Sequence, residues 1–208
     1  MKTFSLNNTN YTIRLFDESK DFPVVGLVTN NYIILHTFAL NNTNYTIRLF
    51  DESKDSVEEL TNLLHRAYKR LADMGLNFIA TFQSAEYTRN YLKKGECYIL
   101  EANSKLTGTV FYYTTMWDDA PEIYKQKESV LIGKFAVEPA LQKHGLGSKL
   151  MDFVESLAIK RNKKRVVLDT SEKALHLIDY YNNRGYKYIH HWQWPDVNYR
   201  SVILIKEL

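Results

Sequence analysis

The sequence predicts an α/β fold: a mixed central sheet flanked by helices, with a β-rich arm added at the N-terminal end. Three observations lead there. Stretches whose apolar residues alternate with polar ones are interleaved with stretches whose apolar residues recur every three or four positions. One apolar strand, ending at Val137, runs through a glycine turn directly into a helical pattern. And the segment Thr3–Asp21 returns almost unchanged as Thr37–Asp55, with only Ser5 and Ala39 differing.

The two copies read as an internal duplication, and each carries a strand. In the second, Tyr45, Ile47 and Leu49 alternate with Thr46, Arg48 and Phe50. The copies differ in their downstream neighbours. After the second comes Ser56-Val-Glu-Glu59, a capping box, and then a helix with Val57, Leu60, Leu64, Ala67 and Leu71 on one face. After the first come Pro23, Gly26 and a run of β-branched residues, which disfavour helix and read as a strand pair joined by a turn. The expectation is that both copies encode the same edge strand and that the second holds the slot, because its helix ties it to the core. The first is then an arm, packed on the domain or exchanged with a second copy of the chain to make a homodimer. The division expected is an extension at 1–36 and a catalytic domain at 37–208.

The remaining elements come in order. Ser84–Lys94 reads as a short helix stopped by Gly95. Glu96–Ala102 and Leu106–Trp117 read as strands joined at Asn103-Ser104-Lys105, with a polar loop over Asp118–Lys127. Val130–Val137 is a strand, and Leu146, Leu150, Val154 and Leu157 define the next helix. Arg165–Thr170 is a strand, Ser171–Arg184 a helix, and Tyr186–Trp192 and Tyr199–Lys206 close the sheet.

Composition narrows the function. The 208 residues suit one domain with an extension, and 45% apolar with 25% charged residues is ordinary for a globular protein. A net charge of +3 does not argue for nucleic acid, and the basic run Lys160–Arg165 falls where cations complement a helix C-terminus. The lone Cys97 rules out an internal disulfide and fits a cytoplasmic setting, with a small buried strand residue the simplest role. No leader pattern and no apolar run near the ~18 residues of a membrane span is seen, so no membrane partner is expected. No metal is expected either.

The chemistry concentrates at 135–148, Phe-Ala-Val-Glu-Pro-Ala-Leu-Gln-Lys-His-Gly-Leu-Gly-Ser. A strand feeding a glycine turn that opens a helix is a site for phosphate, because the helix start offers unpaired N–H groups and the positive end of the dipole. A Walker A loop fails, since Ser148 separates Gly147 from Lys149. A dinucleotide fingerprint fails, since Leu150 stands where its third glycine belongs. Val137, Pro139, Gln142, Gly145 and Gly147 resemble the acetyl-CoA turn of the GNAT N-acetyltransferases, V-x-P-x-x-[QR]-x-x-G-x-[GA], at every fixed position. Tyr181–Tyr186 is similar to that family's Y-x-x-x-G-[FY] signature, with Gly185 placed to cap a helix. The resemblance extends from about Tyr45 to the C-terminus.

The resemblance implies the GNAT fold and acetyl-CoA as co-substrate, with an acetyl group passed to a primary amine of a small molecule or protein by direct attack. It implies that backbone groups of Phe135 and Val137 hold the pantetheine arm. The N–H groups of Gln142, Lys143, His144, Gly145, Leu146, Gly147 and Ser148 would hold the pyrophosphate, with Lys143 and His144 offering charge. Tyr181 would protonate the departing thiolate. The base is open, because Leu131 stands where histone-acetylating members carry a glutamate; Glu101, Tyr113, Glu128, Ser129, His190, His191 or a water chain are the candidates. Tyr112, Trp117, Trp192 and Trp194, with Asp118 and Asp119, are expected around the acceptor. The alternative is a catalytically lapsed CoA-binding regulator or a self-associating protein.

Overall fold

The computed structural model describes residues 2–6, 9–13, 27–29, 32–113 and 115–208, with side chains from residue 35 onward. Strands β1 (Lys2–Leu6), β2 (Thr9–Ile13), β3 (Leu27–Thr29), β4 (Tyr32–Leu40) and β5 (Thr43–Leu49) lead into helix α1 (Val57–Asp73) and helix α2 (Ala85–Leu92). Then come β6 (Gly95–Ala102), β7 (Lys105–Tyr113), the short α3 (Glu122–Lys125), β8 (Ser129–Val137), α4 (Leu146–Lys160), β9 (Arg165–Ser171), α5 (Leu175–Asn183), β10 (Lys187–Trp192) and β11 (Ser201–Glu207). The described strands form one sheet in the order β1-β2-β3-β4-β5-β6-β7-β8-β9-β11-β10. Of its pairings only β8–β9 is parallel.

The repeated segment does not encode a lone edge strand, as expected from the alternation, but a hairpin. In the second copy β4 and β5 pair Thr37↔Thr46, Phe38↔Tyr45 and Leu40↔Thr43, and in the first β1 and β2 pair Thr3↔Thr12, Phe4↔Tyr11 and Leu6↔Thr9. The register is identical after the 34-residue offset. Asn41 and Asn42 turn the second hairpin with φ of 47° and 60°. Both lie in the left-handed region that a two-residue hairpin turn of type I′ demands and that asparagine tolerates. β5 takes the place beside β6, Ile47 opposite Leu100. β3 and β4 pair as the expected strand pair, and β4 runs on across position 36/37 into the second copy.

Alternation sorts the core onto the two faces of the sheet. On one face α1 seats Leu60 against Cys97, Ile99, Phe111, Leu131, Val167 and Ile203. On the other α4 seats Leu146, Leu150 and Val154 against Tyr98, Leu100, Val110, Ile132, Val166 and Leu204, joined by Tyr181 from α5. Ser56 caps α1, accepting from the Glu59 N–H at 3.1 Å, but the return half of the capping box is not used: the Glu59 carboxylate takes Arg66 instead. Other boundaries move slightly. β7 ends at Tyr113, and α5 starts at Leu175 because Ser171 closes β9 and its hydroxyl accepts from the Lys173 N–H.

Arg48 on β5 ties this frame together. It is 4% exposed and donates to Asp55, before α1, at 2.7 and 2.8 Å, and to Glu101 on β6 at 2.6 and 3.0 Å. Arg48→Met would leave two half-buried carboxylates facing each other. We expect a loss of about 2 kcal/mol and a fall in Tm of roughly 4–8 °C by calorimetry. A change below about 1 °C would show that the triad is dispensable.

Candidate active site

β8 and β9 pair only through Ser129↔Arg165, Val130↔Val166 and Leu131↔Val167. Beyond that point each strand keeps its other partner. β8 stays with β7 to Gly108↔Val137, and β9 stays with β11 through Leu168↔Leu204 to Ser171↔Ser201. The sheet therefore opens along Ile132–Val137 on one side and Leu168–Ser171 on the other. A bulge helps: Gly133 pairs with Phe111 and Ala136 with Thr109, so Lys134 and Phe135 together oppose Val110, and Lys134 has φ 46°. Because the Glu138 N–H bonds back to Thr107 at 2.8 Å, alternation turns the Val137 backbone into the opening.

The turn after β8 is built to leave N–H groups free. Pro139–Leu141 is a single 3₁₀ turn, and Gln142 folds back so that its Nε2 donates to the Val137 carbonyl at 3.0 Å. Lys143 (φ 64°) and Gly145 (φ 87°) reverse the chain into α4. Gly145 offers no side-chain cap and the first turn of α4 holds no acid, so the leading N–H groups of this 15-residue helix have no competitor for an anion. The two glycines do different work. A Cβ on Gly145 meets nothing within 4 Å, and its need is purely the left-handed φ. A Cβ on Gly147 would sit 3.1 Å from the Phe135 ring and 3.7 Å from the Tyr180 hydroxyl, so this glycine lets α4 close onto the open edge of β8. Leu146 is core, while the Lys143 and His144 side chains are exposed.

Tyr181 is fixed from behind. Gly185 (φ 88°) ends α5 in a Schellman arrangement, Gly185 N–H to Asn182 O at 2.9 Å and Tyr186 N–H to Tyr181 O at 3.1 Å. Tyr180 and Tyr186 pack edge-on against the ring. Burial holds its phenol well above the ordinary tyrosine range, so it is a proton donor rather than an anion at neutral pH.

Through the opening runs a cavity of about 340 Å³ lined from both faces of the sheet. From one face come Ile132, Phe135, Leu168 and Tyr181; from the other, Tyr68 of α1, Tyr87 and Tyr91 of α2, Tyr113, Trp117 and Trp194. Of the residues expected around an acceptor, Trp117, Trp194 and Asp119 line it. Tyr112, Trp192 and Asp118 do not: Tyr112 lies on the other face under the Arg161 guanidinium, and Trp192 packs behind Trp194. Among the base candidates only Tyr113 reaches the wall, and burial pushes its pKa well up. Glu101 belongs to Arg48, and His191 sits on an edge strand with Tyr188 and Glu172.

Besides Asp119, the cavity is lined by charged residues that sequence reasoning missed, Asp169 and Lys134 among them. Asp169 on β9 accepts from Tyr124 Oη at 3.1 Å and Trp194 Nε1 at 3.0 Å. Lys134 donates from Nζ to Gln83 Oε1 at 2.7 Å and lies over the Tyr91 ring at 4.5 Å. Burial drives its ammonium down to about 7, with Asp169 opposing. No motif marks either position; an alternation count even misassigns Lys134, because the bulge breaks the period.

Comparisons with known proteins agree with this geometry. The family model for acetyltransferases of the GNAT family matches residues 57–186, and the chain belongs to that family, as an acyl-CoA-dependent acetyltransferase. The S-(2-succino)cysteine N-acetyltransferase of Bacillus subtilis strain 168 is 28% identical over 131 residues, 62% of this chain and 77% of that protein. A GNAT family acetyltransferase from Elizabethkingia anophelis, solved with acetyl-CoA bound, shares 20% identity at a TM-score of 0.57 over 79% of this chain and 98% of its own. One from Listeria monocytogenes 4b F2365 shares 15% at 0.64, over 83% and 100%. At these identities the two structures speak for the fold. Among the described residues no group of three or more His, Cys, Asp or Glu is arranged to hold a metal, and no helix is long and apolar enough to cross a membrane.

The turn and the buried lysine can each be tested by substitution. Gly145→Ala must hold a φ of 87° and should cost about 1–2 kcal/mol, weakening CoA binding by calorimetry while the cavity stays intact; unchanged binding would mean the turn does not set the site. Lys134 binds its proton less readily folded than unfolded, so its charge destabilises the fold fully below about pH 7, and the penalty has gone above about 10.5. Lys134→Met should therefore stabilise the protein by about 1–3 kcal/mol at about pH 6, with the gain shrinking as pH rises through that window. Urea titrations at several pH values check this, and a constant difference would contradict it.

Proposed function

We propose that the protein acetylates the primary amine of a small molecule, with acetyl-CoA as donor and by direct attack. The carrying observation is the cavity that crosses the sheet at the split, with Tyr181 and Phe135 on its wall and Gly147 in the first turn of α4 lying against the Phe135 ring. The relative from Bacillus subtilis, whose name is that of an N-acetyltransferase acting on an amino acid derivative, supports a small acceptor. So does the cavity, whose volume lies at the lower end of the roughly 300–1,000 Å³ usual for small-molecule sites.

The chain's own groups divide the work. The N–H groups of Lys143 to Ser148 take the pyrophosphate, while the Gln142 N–H stays on the Pro139 carbonyl at 3.3 Å and closes the turn; Gly147 lets α4 approach β8 closely enough for them to do so. The backbone of Phe135 and the N–H of Val137, whose carbonyl is held by Gln142, pair with the amides of the pantetheine arm as a further strand would. N–H donation from this edge stabilises the charge that grows on the thioester oxygen as the amine nitrogen bonds to the carbonyl carbon. When the C–S bond breaks, Tyr181 gives its phenolic proton to the sulfur. The nitrogen loses its proton to water, since no carboxylate stands at Leu131.

Tyr181→Phe tests the reading. It keeps the ring packing on Tyr180 and Tyr186 and removes only the proton. The kcat for CoA release should fall about 10²-fold or more, while CoA binding measured directly stays within about threefold. A rate equal to the parent enzyme's with any accepted amine would remove Tyr181 from the chemistry.

A further inference from the structure

We propose that Lys134 is the anchor for a carboxylate on the acceptor, so that the amine acetylated is that of an amino acid or a close amino-acid derivative. This rests on the acetyl-transfer reading above and adds the class of acceptor to it.

The first support is what holds the lysine. Gln83, 3% exposed, accepts from Lys134 Nζ with its Oε1, and its orientation is fixed because its Nε2 donates to Thr88 Oγ1 at 2.6 Å. Thr88 in turn is bonded to Thr61 Oγ1 of α1 at 2.7 Å. A buried polar relay spanning two helices thus positions one amino group at the cavity wall. Tyr91 and Tyr87 flank it, at 4.5 and 5.8 Å from their ring centres. Such positioning is more than a lysine needs for solubility, and a buried cation without a counter-ion is costly.

The second support is what the lysine lacks. Among the described residues Lys134 makes no ion pair. Asp169 is the acid that influences it, but that carboxylate already accepts from Tyr124 and Trp194. An ammonium carries three donors, and Gln83 takes one, so the others are available to a ligand. Burial lowers the affinity of this amine for its proton, and an incoming anion restores it. Asp119, Asp169 and Asp196 also line the cavity, against one lysine. That balance repels a dianion such as phosphate and suits a zwitterion: one carboxylate on Lys134, and an amine drawn toward the acids. The aromatic walls take the apolar remainder.

The experiment compares L-phenylalanine, L-methionine and S-carboxymethyl-L-cysteine with their α-amides as acceptors, for the parent enzyme and for Lys134→Met and Lys134→Arg. Binding of the same six compounds to the CoA-loaded enzyme is read by calorimetry, which needs no turnover. The parent should prefer acids to amides by about 30-fold or more in kcat/KM. Lys134→Met should erase that preference through KM, with kcat for the amides and the affinity for CoA both within about threefold, and Lys134→Arg should restore part of it. Equal handling of acids and amides by the parent, or binding of neither, overturns the anchor. So does a Lys134→Met enzyme whose kcat collapses at unchanged KM with a shifted pH profile, since that marks a proton carrier. Acid binding that depends on Lys134, with no CoA released from acetyl-CoA, would keep the anchor and sink the transfer reading instead.

Discussion

The separation of β8 from β9 is the constraint on which the rest of the structure depends. A parallel pair buried on both faces would ordinarily stay closed, because an unpaired backbone N–H or C=O in the interior costs about 1–3 kcal/mol. Here each strand retains its outer partner, β7 for β8 and β11 for β9, so the sheet as a whole survives while one internal seam is given up. Two strand edges without a strand partner then face each other across a gap. A ligand that is itself an extended chain of amides satisfies them as a strand would. The bulge at Lys134–Phe135 serves the same end, since it lets β8 remain in register with β7 while turning away from β9.

The seam also explains why residues from opposite faces of one sheet meet. In an unbroken sheet Tyr181, packed with α4 and the strands' inner face, would never share a cavity with Tyr68, Tyr87 and Tyr91 of α1 and α2. With the seam open, both sets line the same 340 Å³. Tyr181 lines the cavity from one face of the sheet, and Lys134 and Asp169, each held by its own partners, line it as well. Burial raises the phenol's hold on its proton and lowers the lysine's, each in the direction it dictates for its own charged form. The two shifts have one cause and opposite sign.

How much of this could be read from the chain depends on whether the feature is local. The glycine turn that opens α4 was legible because glycine and proline constrain the backbone within a few residues, and the cap at Gly185 for the same reason. The strands and long helices were legible from period. The cavity was legible in outline, since Trp117, Asp119 and Trp194 were expected around an acceptor, but not in detail, because its wall is assembled from segments as far apart as Tyr68 and Tyr199, none carrying a motif. Lys134 was hidden by the bulge, which adds one residue to β8 and reverses the side-chain assignment beyond it. The hairpin in the repeat was missed because Asn-Asn is a weaker turn signal than Asn-Gly, although both residues tolerate positive φ.

That hairpin also has a bearing on how the repeat is accommodated. A second copy of a lone edge strand would compete with the first for one place beside β6. A second copy of a hairpin has less reason to, because each of its strands already has its partner within the repeat. The identical registers of β1–β2 and β4–β5 fit such a self-contained unit. The copies are then distinguished by their downstream neighbours: only Thr37–Asp55 continues into Ser56 and α1, and only there do Asp55 and Glu101 close on Arg48. The described strands of the first copy, β1 and β2, thus lie at the far end of the sheet, while the second copy forms part of the frame between β6 and α1. The difference lies in the helix attached to the second copy, not in the repeated residues.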